Sequence, residues 1–145
     1  LQLASLHDVI DQALSLYEGL FAEVRIDRRL APDVPARRLD ADQMKRVLIN
    51  LVDNAIEATD KKGTVVVSTE FDRAQGRVRL GVADDGPGIR PEDKDKLFVP
   101  TFSTKRRGSG LGLAIVSRIV QEHQGVIRVE DNRPHGARFV VELPA

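Results

Sequence analysis

The sequence predicts a two-layer α/β sandwich in which one mixed, mostly antiparallel sheet carries helices on one face. Two observations lead to this class. Three segments have apolar residues at helical spacing, and five segments alternate apolar and polar residues as strands do. The connection between the last two strands, residues 131–136, is too short for a crossover helix, so that pair is antiparallel. Such elements in one short chain pack as two layers around one core.

Length, composition and charge agree with one globular domain. The 145 residues are 41% hydrophobic and 30% charged, which supplies enough apolar surface for a buried core. The 22 basic and 22 acidic residues cancel, so no overall field attracts nucleic acid or anionic lipid, and any anion site is local. Cysteine is absent, which excludes disulfides and thiolate metal sites. Without a leader or long apolar run, we expect a cytoplasmic domain.

The first three elements alternate helix, strand and helix. Residues 5–20 have helical periodicity after a Ser-x-x-Asp start that resembles a capping box. Residues 24–30 alternate as a short strand that ends at a proline-containing break. A longer helix follows over residues 41–59, capped by Asp40 or Asp42.

The middle of the chain predicts a hairpin and a long connection. Residues 64–72 and 77–83 alternate around a Gly-containing turn, which is typical of two antiparallel strands. A loop rich in glycine and proline covers residues 84–91, and a short helical segment lies near residues 92–98. A connection this long inside a compact domain is usually functional.

The last part predicts one helix and two strands. Apolar periodicity extends over residues 110–123 and stops at Gln124-Gly125. Residues 126–130 and 137–143 then alternate as the final strand pair.

Three polar residues share one face of the second helix. Asn50, Asn54 and Glu57 stand at positions i, i+4 and i+7, beside the apolar face. In one interpretation the amides face solvent or bind local backbone. In the other, their oxygens are neutral ligands for a Mg²⁺ ion that already carries phosphate, where further carboxylates would repel the nucleotide.

The segment "VADDGPGI" ends an alternating strand with Asp84, Gly86 and Gly88. A tight turn is the simple interpretation, because turns use Asp, Gly and Pro. However, a carboxylate at the end of a strand is held in place and can accept a hydrogen bond from an exocyclic amine. Glycines without a Cβ allow a planar ring to approach the backbone. Adenine meets both requirements.

Three glycines, Gly108, Gly110 and Gly112, precede the third helix. They fit neither a dinucleotide fingerprint, since the sixth residue is Leu113 and no strand precedes, nor a P-loop, since the chain has no Gly-Lys-Ser/Thr triplet. Free N–H groups and the dipole at a helix N-terminus still favour an anion. The cations of residues 105–107 could reach phosphate oxygens, although a solvated charge run is the alternative.

Four motifs in this order resemble a known family. "NLVDNA", "DDGPGI", "LFVPTFSTK" and "GSGLGL" resemble the N, G1, F and G2 boxes of the ATP-binding domain of sensor histidine kinases, a branch of the Bergerat-fold ATPases. The resemblance covers nearly the whole chain, and "LFVPTFSTKRRGSGLGLAIV" is most similar to the nitrogen-regulation sensor kinases. It implies the Bergerat ATP-binding fold, with ATP and Mg²⁺ bound.

The resemblance also implies roles for single residues. Asn54 would bind Mg²⁺, with Asn50 assisting the metal or the phosphates and contributing to catalysis. Asp84 would bind the adenine amine. The remaining residues of this base pocket would be Gly86, Gly88 and Ile89.

Residues around the glycine-rich stretch would form a lid over the triphosphate. Lys105 would lie near the terminal phosphates as a catalytic cation, and residues 89–107 would be mobile when empty and ordered by nucleotide. Phe98 and Phe102 would anchor the lid or pack in the core. The other residues expected to contact the nucleotide are Thr104, Arg107, Gly108, Ser109, Gly110, Leu111 and Gly112.

Two positions depart from the family pattern. Many relatives have Gly-Thr before the last strand, whereas this chain has Gly136 and Ala137, so a hydroxyl near the adenine is missing. Glu57 stands where many kinases have a basic or aromatic residue, so no help with phosphate is expected there.

The family's phosphoacceptor histidine lies on a separate dimeric helical domain, and none of His7, His123 and His135 has its sequence setting. We therefore expect residues 1–145 to be a single catalytic and ATP-binding domain, monomeric on its own, that lacks the dimerisation and phosphoacceptor domain. Its partners would be that domain and, indirectly, a response regulator. Whether the parent kinase is membrane-anchored stays open.

Two other functions remain open from the sequence. A related anti-sigma kinase would use the same fold to phosphorylate a protein serine. A nucleotide-sensing module would bind ATP or ADP without transferring phosphate.

Overall fold

The computed structural model describes residues 1–99 and 112–145. The helices are Leu6–Ser15 (α1), Ala41–Ala58 (α2), Pro91–Lys94 (α3) and Gly112–Glu122 (α4). The strands are Gln2–Ala4 (β1), Arg25–Arg29 (β2), Arg37–Leu39 (β3), Thr64–Asp72 (β4), Arg77–Asp84 (β5), Val126–Asp131 (β6) and Ala137–Pro144 (β7).

One five-stranded sheet has the order β2-β4-β5-β7-β6. Strands β2 and β4 are parallel, and the other three pairs are antiparallel. The hairpins β4–β5 and β6–β7 follow from their short connections, as predicted. Helices cover one face of this sheet, so the predicted two-layer fold is confirmed.

The core lies between the helices and the apolar face of the sheet. Alternate residues of the strands enter it, as Val78, Leu80 and Val82 of β5 show, and all three are at most 1% exposed. From the helices come the side chains at helical spacing, listed here as Leu6, Val9, Ile10, Met44, Val47, Leu48, Leu51, Val52, Val116, Ile119 and Val120.

The other face of the sheet carries a network of ion pairs. The Arg79 guanidinium binds Glu142 at 2.7 Å, Asp72 at 3.1 Å and Glu70 at 3.2 Å, and so joins β4, β5 and β7. The hydrogen bond from Arg79 holds the pKa of Glu142 below its usual range, and the same bond raises the pKa of Arg79. The described helices lie on the other, apolar face of the sheet.

Helix α2 begins and ends where the sequence predicts. The Asp40 carboxylate accepts a hydrogen bond from the Gln43 N–H at 3.1 Å, so Asp40 is the N-cap. Beyond the last helical residue, Asp60 and Lys61 have positive φ angles of 55° and 60°, which turns the chain away from the helix axis.

Helix α1 is shorter than predicted, because it ends at Ser15 and not near residue 20. The Ser5 hydroxyl caps it as expected, accepting from the Asp8 N–H at 3.3 Å. At the other end, the Ser15 hydroxyl donates to the Gln12 carbonyl at 2.7 Å, and Leu16 is 58% exposed. Of residues 16–20 only Tyr17 is buried, and these residues form turns.

The small antiparallel pair β1–β3 was not predicted. Both strands have three residues, and Arg37 and Arg38 leave β3 without an alternating apolar pattern. Within the described residues, no helix combines the length and the apolar composition needed to cross a membrane.

Candidate functional site

The Asp84 carboxylate is buried at the end of β5, with only 3% of the residue exposed. Its Oδ1 accepts the Gly86 N–H at 2.9 Å and the Ala137 N–H at 3.2 Å. Two backbone segments therefore fix one carboxylate, as the position of Asp84 in the sequence suggested. Ala137 contributes its backbone N–H to this arrangement.

The β6–β7 loop closes around Asp84 from the other side. The Asn132 Nδ2 donates to the Asp84 carbonyl at 2.8 Å, and the His135 Nδ1 donates to the Gly86 carbonyl at 3.2 Å. Gly136 has a φ of +111°, and a Cβ there would overlap the Asp84 carbonyl oxygen. Sequence reasoning placed Gly136 and Ala137 near the expected adenine pocket, but it treated Asn132 and His135 only as parts of a connection. The one local sequence signal for a structured loop here was an asparagine, a proline and a glycine directly before a strand.

Gly86 and Gly88 are needed for packing of the chain against itself, a reason that the sequence did not reveal. A Cβ on Gly86 would lie 2.5 Å from the carbonyl oxygen of Ala58, the last residue of α2. Gly88 has a φ of +83°, and its Cβ would lie 3.3 Å from the Gly136 carbonyl oxygen. Both glycines keep the loop after β5 close to its neighbours.

Asn50 and Asn54 lie one turn apart on α2, and both are half-buried. A Cβ on Gly112, the first residue of α4, would lie 3.6 Å from the Asn50 Oδ1. The structure therefore brings the first amide of the predicted metal pair next to the last glycine of the predicted phosphate loop. Glu57 is exposed on the same helix.

An open groove of about 520 Å³ borders the Asp84 site at the C-terminal end of α2. It is lined by the end of the helix, the turn that follows it, the loop after β5 and the β6–β7 loop: Ala58, Thr59, Asp60, Lys62, Gly63, Asp85, Gly86, Pro87 and His135. The Asp85 Oδ1 accepts the Thr64 N–H at 3.0 Å, which ties this loop to the start of β4.

Several predicted site residues lie outside the described residues. They are Phe102, Thr104, Lys105, Arg107, Gly108, Ser109, Gly110 and Leu111, and the predicted lid lies partly outside as well. Of the described ones, Ile89 is half-buried and packs against the core, and Phe98 stacks edge-on against Phe139 with ring centroids 6.2 Å apart. Phe98 therefore packs in the core.

The donor set fits a hard cation that arrives with phosphate. Within residues 1–99 and 112–145, no three His, Cys, Asp or Glu side chains are grouped to hold a metal ion. The two amide oxygens of α2 are neutral hard ligands and would leave most coordination positions to phosphate and water, as Mg²⁺ prefers.

All three histidines make hydrogen bonds within the fold, and that of His135 to the Gly86 carbonyl is described above. His123 is 2% exposed; its Nε2 accepts the Asp40 N–H at 3.0 Å, and its Nδ1 donates to the Ile119 carbonyl at 2.8 Å. The His7 Nε2 lies 2.9 Å from the Thr69 Oγ1.

Comparison with protein families identifies the class. Residues 39–145 match the family model described as histidine kinase-, DNA gyrase B-, and HSP90-like ATPase, and the chain belongs to this family of ATPases. Within it, the chain corresponds to the catalytic ATPase domain of sensor histidine kinases, as the relatives below indicate.

Curated relatives and solved structures agree on this assignment. The chain is 36% identical to sensor histidine kinase ZraS of Salmonella typhi over 146 residues, which cover 99% of the chain and 31% of ZraS. It is 39% identical to the sensory histidine kinase/phosphatase NtrB of Rhodobacter capsulatus over 152 residues, covering 97% of the chain and 42% of NtrB. The chain thus spans less than half of these relatives. The predicted family, the ATP-binding domain of sensor histidine kinases, is confirmed, and NtrB is among the relatives.

The fold comparison gives the same result. The catalytic domain of histidine kinase ThkA has a TM-score of 0.88 and 34% identity, with 99% of this chain and 96% of that chain covered. A second structure contains ThkA in complex with the response regulator protein TrrA, with a TM-score of 0.84, and covers 99% of this chain and 41% of that one.

Proposed function

We propose that this domain binds Mg·ATP and donates the γ-phosphoryl group to a histidine on a separate dimerisation domain, as one part of two-component signalling. The observation that carries the proposal is the buried Asp84 carboxylate, which two backbone N–H groups hold at a strand end. A carboxylate held in this way accepts hydrogen bonds at a fixed position, which suits the exocyclic amine of adenine.

Helix α2 gives the proposed site its length. Ala58 lies close to Gly86 in the loop beside Asp84, whereas Asn50 lies close to Gly112 at the start of α4. They are eight positions apart, which is about 12 Å along a helix. The adenine would lie at the Asp84 end and the phosphates at the Asn50 end, beside Gly112.

The chain's own residues would bind and orient the nucleotide. Asn54 and Asn50 would hold the magnesium ion, which neutralises phosphate charge and helps to orient the γ-phosphoryl group. Lys105 and the N–H groups of residues 108–112 would bind the triphosphate, and Thr104 and Arg107 would contact it. Catalysis by this domain would consist of positioning and charge neutralisation.

The acceptor histidine would lie on another domain. His123 is buried with both ring nitrogens hydrogen-bonded, and His7 lies against Thr69, which supports structural roles for both. The next partner in the pathway would be a response regulator, as the complex of ThkA with TrrA suggests.

Phosphate transfer in trans tests the proposal. The chain would be incubated with ATP labelled at the γ-phosphate and with the helical dimerisation domain of the same kinase. We expect a label on that domain that is labile in acid and stable in alkali. An acid-stable label would indicate a serine kinase, and nucleotide binding without transfer would indicate a sensing module; either result would contradict the proposal.

We predict that Asp84→Asn weakens ATP binding by at least about 100-fold. The adenine amine would lose its hydrogen bond to a charged carboxylate oxygen and would face the amide NH2 of asparagine, which is also a donor. The asparagine oxygen can still accept the Gly86 and Ala137 N–H groups, so the fold should persist. Calorimetric titration with ATP checks this. Unchanged affinity would refute the adenine role.

We predict a different result for Asn54→Ala. Binding of ATP without Mg²⁺ should change less than about threefold, whereas the gain in affinity on adding Mg²⁺ and the rate of transfer should both fall by at least about tenfold, because a metal ligand is lost. Paired titrations with Mg²⁺ and with a chelator measure this. Equal weakening under both conditions would assign Asn54 to the base pocket.

A further inference from the structure

We propose that Asn132 is a positioning residue that holds Asp84 in the orientation needed to select adenine. This inference rests on the proposed function, because it assumes that Asp84 accepts the adenine amine. The structure supports it through one side-chain hydrogen bond at a point where the sheet stops.

The register of the sheet shows why Asp84 needs this support. Strand β5 pairs with β4 through Asp84, opposite Val65, but its pairing with β7 ends one residue earlier, at Ala83 and Arg138. The described pairing of β5 with β7 therefore stops before Asp84, and β7 reaches this residue through the Ala137 N–H, which binds the Asp84 side chain. The Asn132 Nδ2 lies 2.8 Å from the Asp84 carbonyl oxygen and donates to it.

Asn132 also closes the loop that carries the second anchor of the carboxylate. Its backbone N–H donates to the Gly136 carbonyl at 2.9 Å, which holds the two ends of the loop together. The next residue is Ala137, whose N–H binds the Asp84 Oδ1. One residue thus fixes both the carbonyl of Asp84 and the loop that orients its side chain.

The two anchors of the carboxylate depend on this arrangement. Rotation of the peptide after Asp84 would move the Gly86 N–H, and displacement of the loop would move the Ala137 N–H. Without the Asn132 amide, the carbonyl of this buried residue loses one hydrogen-bond donor, and its peptide is held less firmly in its present orientation. The expected consequence is a loss of contact with the adenine amine, with the phosphate end unaffected.

A comparison of two nucleotides isolates this effect. Purine riboside triphosphate has the shape of ATP but lacks the exocyclic amine. Calorimetric titrations in the presence of Mg²⁺ would measure both ligands on the wild-type chain and on Asn132→Asp, which keeps the shape and removes the donor. We expect about tenfold weaker ATP binding and less than about twofold change for purine riboside triphosphate.

Matched variants control for folding and for the loop. Arg133→Gln changes an exposed side chain of the same loop and should leave both affinities unchanged. Asn132→Ala keeps the test possible if a second carboxylate beside Asp84 unfolds Asn132→Asp. In the Asp84→Asn background, Asn132→Ala should cost less than about twofold, because the contact that it supports is already lost.

The results separate this inference from the proposed function. Equal weakening for both nucleotides would mean that Asn132 acts only on the general structure of the loop, and would overturn the inference. Unchanged ATP affinity would overturn it as well. If Asp84→Asn weakens ATP binding and the Asn132 variants do not, this inference alone fails. If Asp84→Asn has no effect, the adenine role of Asp84 fails first, and the inference falls with it.

Discussion

Gly136 occupies a position that only glycine fits, for two independent reasons. Its φ of +111° lies in a region that other L-residues rarely adopt, and a Cβ would overlap the carbonyl oxygen of Asp84. The same backbone contact brings the Ala137 N–H to the Asp84 carboxylate. The absence of one side chain therefore decides where a charged group is held.

We predict that Gly136→Ala destabilises the fold by more than about 3 kcal/mol and reduces ATP affinity, because the strand end carrying Asp84 must move. Gly76→Ala is a matched control: its φ is +64°, but nothing lies within 4 Å of a Cβ there. It should cost only about 1 kcal/mol from backbone strain and leave ATP affinity unchanged. Denaturant unfolding and calorimetry measure both, and similar costs at the two positions would contradict the role of the contact.

At this scale, the sequence identified residues whose chemistry can be interpreted locally. Asp84 ends a strand, and Asn50 and Asn54 repeat at helical spacing, so each was recognised without knowledge of the fold. Asn132 and His135 were missed because their contacts require β7 to lie beside β5. That pairing joins residues about fifty positions apart, which no local pattern shows.

Among the elements, α2 is fixed by contacts that the other helices provide. His123, directly after α4, accepts the N–H of the α2 N-cap Asp40 and donates to the Ile119 carbonyl. This pair of bonds requires the neutral ring with its proton on Nδ1. The histidine therefore joins the two helices that carry the expected phosphate end of the predicted site, α2 with Asn50 and α4 with Gly112.

Helices α1 and α2 are joined by the one tyrosine of the chain. The Tyr17 hydroxyl donates to the Asp53 Oδ1 at 2.6 Å, and Tyr17 is only 9% exposed. Burial raises the pKa of Tyr17, and the hydrogen bond and charge of Asp53 raise it further.

We predict that Tyr17 makes stability fall at alkaline pH. The folded pKa lies above the unfolded value of about 10, so the unfolded chain loses this proton first, and stability present below pH 10 is lost as the pH rises further. The expected slope is at most about 1.4 kcal/mol per pH unit. Tyr17→Phe has no ionisable hydroxyl, so the loss of stability caused by ionisation of this residue should be absent in the variant.

The measurement is specific, because the chain has one tyrosine and no tryptophan. Tyrosinate absorbance at about pH 11 should be small in the folded chain and complete after unfolding in denaturant. Denaturant unfolding of the wild-type chain and of Tyr17→Phe at about pH 8 and pH 11 measures how much stability each protein loses between the two pH values. Full ionisation of Tyr17 in the folded chain would contradict the prediction.

Element prediction succeeded where one physical signal dominated. Helix α2 and the hairpin β4–β5 have long apolar patterns and clear ends, and both were predicted closely. Helix α1 was predicted too long because Leu16 and Leu20 fit its periodicity but remain exposed. Strands β1 and β3 were missed because three-residue strands are held by pairing alone.

At the scale of the whole molecule, the proposed site is assembled from segments that are distant in sequence. Asp84 ends a central strand, the β6–β7 loop covers it, and α2 connects it to the start of α4. The sheet order and the parallel pair β2–β4 bring these parts together, and neither is visible in local patterns. A ligand that contacts all of them binds only the folded chain, so its binding energy adds to global stability.

We therefore predict that Mg·ATP at 100 times its dissociation constant raises the free energy of unfolding by about 2.7 kcal/mol. For a chain of this length the midpoint of thermal unfolding should rise by roughly 8 °C. ADP should stabilise less, because it lacks one phosphate, and GTP should have little effect, because its carbonyl cannot donate to Asp84. Thermal unfolding with each nucleotide, with and without Mg²⁺, measures this order.

Asp84→Asn should lose the response to ATP while keeping its own melting point within a few degrees, which separates loss of binding from loss of fold. Equal stabilisation by ATP and GTP would show that the base is not read, and would leave Asp84 as a structural carboxylate of the strand end.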